Sequence, residues 1–336
     1  MKLYKLIFFN TMIAGTMIAV SSYSWMSMWM GLEINLLSII PLFSNKKNVF
    51  SSESSLKYFI TQAIASTVLL MAVIMMLLTN EFIAPTVNFY LMMILNSALL
   101  TKLGAAPFHY WFPEVMEGLN WMNCLILLTW QKIAPMMLLM NNLMNTKFTI
   151  MIVLACMTMS TFMAFNQISL RKILTFSSIN HIGWMMSTTM ISFPVWLTYF
   201  SIYSILNINI IALFYYTKTF YLNQINNIMN KNKMFKFSVL INFLSLGGLP
   251  PFIGFLPKWL VINWMIVNNL PLIALMMTIL TLLMLYIYMR ITLSTMLLSI
   301  TETKFLNLKS SNSLLLILNF MSLFSLILCT LMFNLL

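Results

Sequence analysis

Four charged residues stand inside long apolar tracts of this sequence. They are Glu33 in MWMGLEINLLS, Lys102 in LTKLGAAPFHYWFP, Lys132 in TWQKIAPMM and Lys258 in GLPPFIGFLPK. A charged side chain at the centre of a membrane helix costs roughly 2.5–3.5 kcal/mol on insertion scales, so four of them point to use rather than tolerance. A lysine in an apolar, partly hydrated pocket has its charged form disfavoured, and a nearby glutamate restores it. Such a lysine can alternate between ammonium and amine, which a permanently charged arginine does not do. No arginine lies at the centre of an apolar tract here. The chemistry these residues offer is therefore proton relay. The structural alternative is that they form buried pairs fixing helix register, or, for Lys258 above all, that the side chain reaches an interface.

His109 and His181 are weaker members of the same set. The simpler reading of each is a satisfied polar residue at a helix interface, with a relay role as the alternative; haem ligation by the two has no other support. His181 lies in SSINHIGW, where Ser177, Ser178 and Asn180 could hold a chain of waters. Glu114 and Glu117 fall near the end of an apolar tract, where a solvated position is the default.

The elements that position these residues follow from composition. Of 336 residues, 61% are hydrophobic and only 7% charged, and the mean hydropathy is +0.92. A water-soluble domain carries about a quarter of its residues charged, so the solvent of this chain is mostly lipid. Apolar spans of about 20 residues recur along its length, as in a polytopic helical membrane protein. The net charge of +12 does not indicate nucleic acid, because the lysines sit singly between spans, where orientation signals belong. Cys124, Cys156 and Cys329 fall in apolar segments without C-x-x-C spacing, which excludes a zinc or iron–sulfur framework read from sequence. The start, MKLYKLIFFNTMIAGTMIAV, is read as a first span rather than a signal peptide, since further apolar segments follow without a soluble domain.

Eleven spans are expected, at about 3–22, 25–42, 57–79, 87–117, 120–140, 148–165, 173–192, 194–216, 237–267, 271–293 and 313–335. An odd count puts the termini on opposite sides. Fourteen of the 18 basic residues then lie on the N-terminal side, in connections or at span ends, and Lys147 alone lies on the other. Only Lys102, Lys132 and Lys258 remain in span interiors. This asymmetry places the N-terminus on the positive side, cytoplasm or mitochondrial matrix.

The spans 87–117 and 237–267 are overlong, and they share a pattern. GAAPFHYWFPE (Gly104 to Glu114) aligns without gaps on GLPPFIGFLPK (Gly248 to Lys258), matching Gly104 with Gly248, Pro107 with Pro251, Phe108 with Phe252 and Pro113 with Pro257. As the fourth and ninth spans, the two run in opposite directions. Matching interrupted helices of opposite orientation mark an inverted repeat with a transport site at the break. Proline removes a donor and clashes with the preceding turn, so each helix is expected to open there. The freed carbonyls must then find a side chain, water or an ion.

Five stretches in order carry a family resemblance: MGLEINLLSIIPL, SLKYFITQAIASTVLL, LLTKLGAAPFHYWFPEVMEGLNWMNCLILLTWQKIAP, SLRKILTFSSINHIGWM and NFLSLGGLPPFIGFLPKWLVI. They resemble the NADH dehydrogenase subunit 2 family of the mitochondrial respiratory chain, its insect members most closely, over about residues 25 to 265. The resemblance implies an all-α polytopic membrane protein, antiporter-like, with two inverted five-helix units and two broken helices. It implies one membrane domain over 1–336, with a first half at 1–140, a second inverted half at 148–293, and a C-terminal loop and last helix at 294–336. It implies a proton path made of Glu33 paired with Lys102, then Lys132, then Lys258; the weaker relay roles of His181 and His109 rest on their own settings and not on the resemblance. It implies no cofactor in this chain, with flavin, iron–sulfur clusters and ubiquinone in or at other subunits. The partners it implies are the other membrane-arm subunits of an obligate hetero-oligomer and lipids, cardiolipin as a candidate, with no nucleic acid. The location it implies is the mitochondrial inner membrane, with the N-terminus in the matrix and the C-terminus facing the intermembrane space. The rival functions are a sodium/proton antiporter component, alone or multisubunit, and a structural assembly subunit.

Overall fold

The computed structural model describes residues 3–45, 48–78, 89–142, 146–229, 233–250 and 252–297. Among them the secondary structure is helical, apart from an isolated bridge between Ser169 and Tyr221. Seven helices are long and apolar enough to cross a membrane, and three shorter apolar helices, Tyr90–Leu103, Phe235–Gly247 and Phe255–Val267, flank the breaks. The described residues of the ten expected spans that precede residue 298 are mainly helical, apart from the two breaks; the eleventh, at 313–335, lies outside the described residues. The chain divides into two compact units, Met1–Ile152 and Val153–Leu336.

The first unit contains α1 (Leu3–Ser21), α2 (Trp25–Phe43), α3 (Val49–Leu78), α4 (Phe89–Leu103), α5 (Trp111–Gly118), α6 (Trp121–Leu128) and α7 (Trp130–Asn141), and the start of α8 (Thr146–Ala164). Helices α1 and α2 touch backbone to backbone through glycines, since lipid gives no hydrophobic drive and close packing must supply the contact. A Cβ on Gly31 would lie 2.5 Å from the Ala19 nitrogen, and one on Gly15 would lie 2.9 Å from the Asn35 nitrogen. That contact fixes α2 at the level of Glu33. Helix α2 begins at Ser24, whose hydroxyl accepts from the Ser27 N–H at 3.3 Å, an ordinary N-cap. Trp29 Nε1 donates to the Ser66 carbonyl at 3.2 Å and ties α2 to α3.

The second unit contains most of α8, then α9 (Leu170–Thr188), α10 (Phe193–Thr217), α11 (Leu222–Met229), α12 (Lys233–Gly247), α13 (Phe255–Val267) and α14 (Pro271–Leu297). Helix α9 is buried almost throughout, and Gly183 lets Cys156 and Met157 of α8 approach it. The connection 217–236, which the sequence reading leaves as a loop, holds the short helix α11. Its start is fixed by Gln224, whose Oε1 accepts from the Phe220 N–H at 2.8 Å.

The two broken helices are ended by glycine, not by proline as the sequence reading expects. Gly104 and Gly248 adopt φ of +73° and +76°, a left-handed conformation that costs glycine nothing. Each closes a Schellman cap. Gly104 N–H donates to Thr101 at 3.2 Å and Ala105 N–H to Leu100 at 3.1 Å; Gly248 N–H donates to Ser245 at 3.0 Å and Leu249 N–H to Leu244 at 3.4 Å. The register that carries Gly104 onto Gly248 also carries Phe108 N–H to Ala105 O onto Phe252 N–H to Leu249 O, both 2.8 Å. It carries Phe112 N–H to His109 O, 3.0 Å, onto Leu256 N–H to Ile253 O, 3.2 Å. Pro113 and Pro257 each stand third in the next helix, where a missing N–H costs nothing. The repeat seen in sequence is thus a repeat of backbone hydrogen bonds.

Candidate functional site

In the first unit, Lys102 lies in the last turn of α4, just before the break, and is only 8% exposed. Lys132, on α7, is 2% exposed, with its Nζ 5.9 Å from the centre of the Phe112 ring. Glu33 on α2 is half-buried. Its carboxylate is not in ion-pair contact with Lys102; among the described residues, the ion pairs within 4.0 Å join Lys57 to Glu53 and to Glu114. The carbonyls left over where α4 ends are met by neutral groups: Trp111 Nε1 donates to Thr101 O at 3.1 Å, and Gln62 Nε2 to Lys102 O at 3.4 Å.

Helices α2, α3, α4 and α7 bring a neutral polar cluster up to Lys102. Asn35 Nδ2 donates to Gln131 Oε1 at 3.1 Å, and Gln131 Nε2 donates back to Asn35 Oδ1 at 3.0 Å. The Tyr58 hydroxyl donates to the same Gln131 oxygen at 3.4 Å. Tyr58 is held edge-on between Phe43 and Trp111, with ring centres 5.4 and 5.7 Å away. Asn35, Tyr58, Gln62 and Gln131 do not stand out in the sequence. The only signal available for them is position beside the charged residues, with Asn35 two after Glu33 and Gln131 one before Lys132.

His109 is buried in the loop between α4 and α5, with its ring stacked on Tyr110 at 4.5 Å. Among the described residues neither ring nitrogen meets a partner at full hydrogen-bond geometry. Glu114 sits at the surface and pairs with Lys57 at 3.1 Å, the solvated position expected near a span end.

In the second unit, Lys258 occupies the first turn of α13 and is 8% exposed. Its Nζ donates to the Gly247 carbonyl at 2.8 Å and to the Leu246 carbonyl at 3.3 Å. The amine of Lys258 therefore caps the C-terminal end of α12, where the negative end of the helix dipole favours its ammonium form. This differs from the first break, whose carbonyls take neutral donors. His181 on α9 is buried, with Nδ1 2.8 Å from the Tyr199 hydroxyl and its ring 5.0 Å from that of Tyr203. Ser177 and Ser178 donate to carbonyls of their own helix at 2.7 Å, and Asn180 donates to Ser160 at 3.4 Å. The tyrosines are the part of this cluster that sequence reasoning misses.

Among the described residues, no group of three or more His, Cys, Asp or Glu is placed to hold a metal ion. Cys124 and Cys156 are buried, and Cys124 Sγ donates to the Leu119 carbonyl at 3.7 Å; Cys329 lies outside the described residues. What the arrangement can do is hold protonatable amines beside polar side chains and interrupted helices, out of bulk water.

Residues 22–284 match the family described as NADH:quinone oxidoreductase/Mrp antiporter, transmembrane. The chain is 51% identical to NADH-ubiquinone oxidoreductase chain 2 of Aedes aegypti, covering 99% of this chain and 98% of that one. It is 46% identical to the chain of the same name in Anopheles gambiae, with the same coverage, and 37% identical to that of Canis lupus over 90% of this chain and 89% of the other. Among solved structures, it is similar in fold to a chain of respiratory complex I from Thermus thermophilus. There the TM-score is 0.87 and the identity 20%, over 98% of this chain and 78% of that one. It is also similar to a chain of the Mrp complex from Dietzia, with a TM-score of 0.72 and 17% identity, over 88% of this chain and 61% of that one.

Proposed function

Since the chain belongs to the NADH:quinone oxidoreductase/Mrp antiporter transmembrane family, we propose that it is a proton-translocating membrane subunit of NADH:ubiquinone oxidoreductase. The observation that carries this reading is the set of buried lysines, Lys102 and Lys258 beside two matching helix breaks and Lys132 on α7, in a chain so similar to chain 2 of that enzyme. The three lysines take up and give up protons in turn, Lys102 and Lys132 in the first unit and Lys258 in the second. Glu33 is the counter-charge that holds the proton on Lys102 until a neighbouring subunit changes that balance. Lys258, while charged, is held by the end of α12; losing its proton weakens that hold and frees the side chain. His181 and His109 are secondary members of the relay. The half-chain division at 1–140 and 148–293 belongs to the same reading.

Flavin, iron–sulfur clusters and ubiquinone are assigned to other subunits, and this chain receives its energy through contacts with membrane-arm neighbours in an obligate hetero-oligomer. Membrane lipids, cardiolipin among them, surround it. The inner mitochondrial membrane is its location, with the N-terminus on the matrix side and the C-terminus facing the intermembrane space.

The test has two steps. Native electrophoresis of mildly solubilised membranes is expected to show this chain comigrating with a large NADH-oxidising band. Within that enzyme, Lys132→Met is expected to abolish most NADH-driven proton pumping while assembly is kept. An unchanged number of protons per NADH would sink the lysine path. The fold likeness to the Mrp chain keeps a second reading, a sodium/proton antiporter component. Sodium-dependent, NADH-independent transport by the isolated protein would favour it.

A further inference from the structure

Asn35 and Gln131 exchange two hydrogen bonds, at 3.1 and 3.0 Å, and so lock α2 to α7 across a separation of 96 residues in sequence. Asn35 is buried and Gln131 lies in the first turn of α7, immediately before the buried Lys132. The pair borders a small cavity that is lined also by Tyr58, Gln62, Lys102 and Pro135. Its size suits roughly one water molecule, which needs two to four polar partners, and the lining offers more than that. Lys102 and Gln131, the residue adjoining Lys132, thus line the same polar cavity.

We propose that Asn35 and Gln131, assisted by Tyr58, are positioning residues for proton transfer between Lys102 and Lys132. The pair fixes the spacing of α2 and α7 and orients a single water beside Lys102, through which the proton leaves. This rests on the reading that these lysines carry protons. The residue types suit the task. A carboxamide holds both a donor and an acceptor in place, yet does not ionise at physiological pH, so it cannot trap the proton it directs. A carboxylate here would become a competing site. The Tyr58 hydroxyl, clamped between Phe43 and Trp111, fixes which face of the Gln131 amide points at Tyr58. In this arrangement the Lys102 ammonium gives a proton to the water as a proton of that water passes toward the neutral Lys132 amine, so that Lys102 ends as the amine and Lys132 as the ammonium, with no net bond change in either amide.

The test uses the intact enzyme carrying single variants of this chain, with NADH-driven proton uptake into vesicles normalised to assembled enzyme. Gln131→Leu is expected to slow uptake on the order of tenfold, within the ~100-fold that a 1 Å misplacement can cost. Tyr58→Phe, which removes only a hydroxyl, is expected to slow it about threefold, the scale of one neutral hydrogen bond. Both variants should raise the solvent deuterium isotope effect on uptake, a change that a merely structural defect would not produce. The exchanged pair, Asn35→Gln with Gln131→Asn, should recover most of the rate. Normal uptake and a normal isotope effect in assembled Tyr58→Phe and Gln131→Leu would overturn the proposal. If Gln131→Leu fails to assemble, Tyr58→Phe decides alone. Lys132→Met measured in parallel separates the two failures. If it still pumps, the underlying relay is wrong; if it stops pumping while the amide variants are normal, only the positioning role is wrong.

Discussion

Lys258 reaches back across a helix break to Gly247: its Nζ lies 2.8 Å from the carbonyl that ends α12, and 3.3 Å from that of Leu246. A buried helix end with unpartnered carbonyls is costly in lipid. Here the partner is the residue the relay would also use, so capping and charge are one interaction.

Replacing Lys258 with Met should therefore affect stability as well as transport. Leaving the Gly247 and Leu246 carbonyls unsatisfied should cost about 1–3 kcal/mol. Thermal dissociation of the purified enzyme should show the loss, along with reduced pumping. Lys258→Arg should restore the cap but not the pumping, because a guanidinium does not give up its proton. An arginine variant that pumps normally would refute the coupling of the two roles.

The glycine caps predict a ranking. Alanine in the left-handed conformation costs roughly 1–2 kcal/mol, so Gly104→Ala and Gly248→Ala should both destabilise. Gly248→Ala should be the worse. Its Cβ would lie 2.9 Å from Lys258 Cδ and Nζ, whereas at Gly104 the nearest atoms, on Trp111 and Phe112, are 3.2 Å away. Proteolysis rates of assembled enzyme would compare them, and the reverse order would show that Lys258 yields more easily than its hydrogen bonds suggest.

The α1–α2 contact predicts a failure of assembly. At Gly31 a Cβ would lie 2.5 Å from the Ala19 nitrogen and 2.8 Å from its Cα, both backbone atoms that cannot turn aside. Gly31→Ala should force the helices apart at the level of Glu33 and reduce the amount of chain found in the large complex. Immunodetection on native gels would measure this, and normal abundance would mean that α1 is free to shift.

Lys57 supplies a control. It sits at the surface between Glu53 and Glu114, 3.0 and 3.1 Å away, and exposed ion pairs contribute little because water and salt screen them. Lys57→Ala should leave assembly and pumping unchanged. A clear pumping defect in that variant would bring Glu114 into the proton path after all.

Much of the site is legible in the order of residues. Lys102, Lys132 and Lys258 announce themselves because a charge among apolar residues is a rare and expensive event, and all three are buried. The Gly and Pro repeat is legible because the backbone geometry it encodes is local. Its mechanism is easily misread, since proline marks where a helix resumes as well as where it fails, and the left-handed turns at Gly104 and Gly248 carry no distinct letter pattern. The partners are not legible. Asn35, Tyr58 and Gln131 look like stray polar residues in three separate apolar stretches until α2, α3 and α7 meet.

The sequence by itself determined the solvent, the helical class, the places where helices break and the protonatable groups within them. Each of these is set by residue type and near neighbours: hydropathy over a span, glycine at a turn, lysine out of water. Tertiary structure alone decided that Glu33 and Lys102 form no direct ion pair, that Asn35 clasps Gln131, that His181 meets Tyr199 and that Lys258 caps α12. These depend on how each helix is rotated and how far it is shifted along its neighbour. In a chain apolar on nearly every face, the hydrophobic pattern leaves that rotation open, and close packing of small residues such as Gly15 and Gly31 settles it.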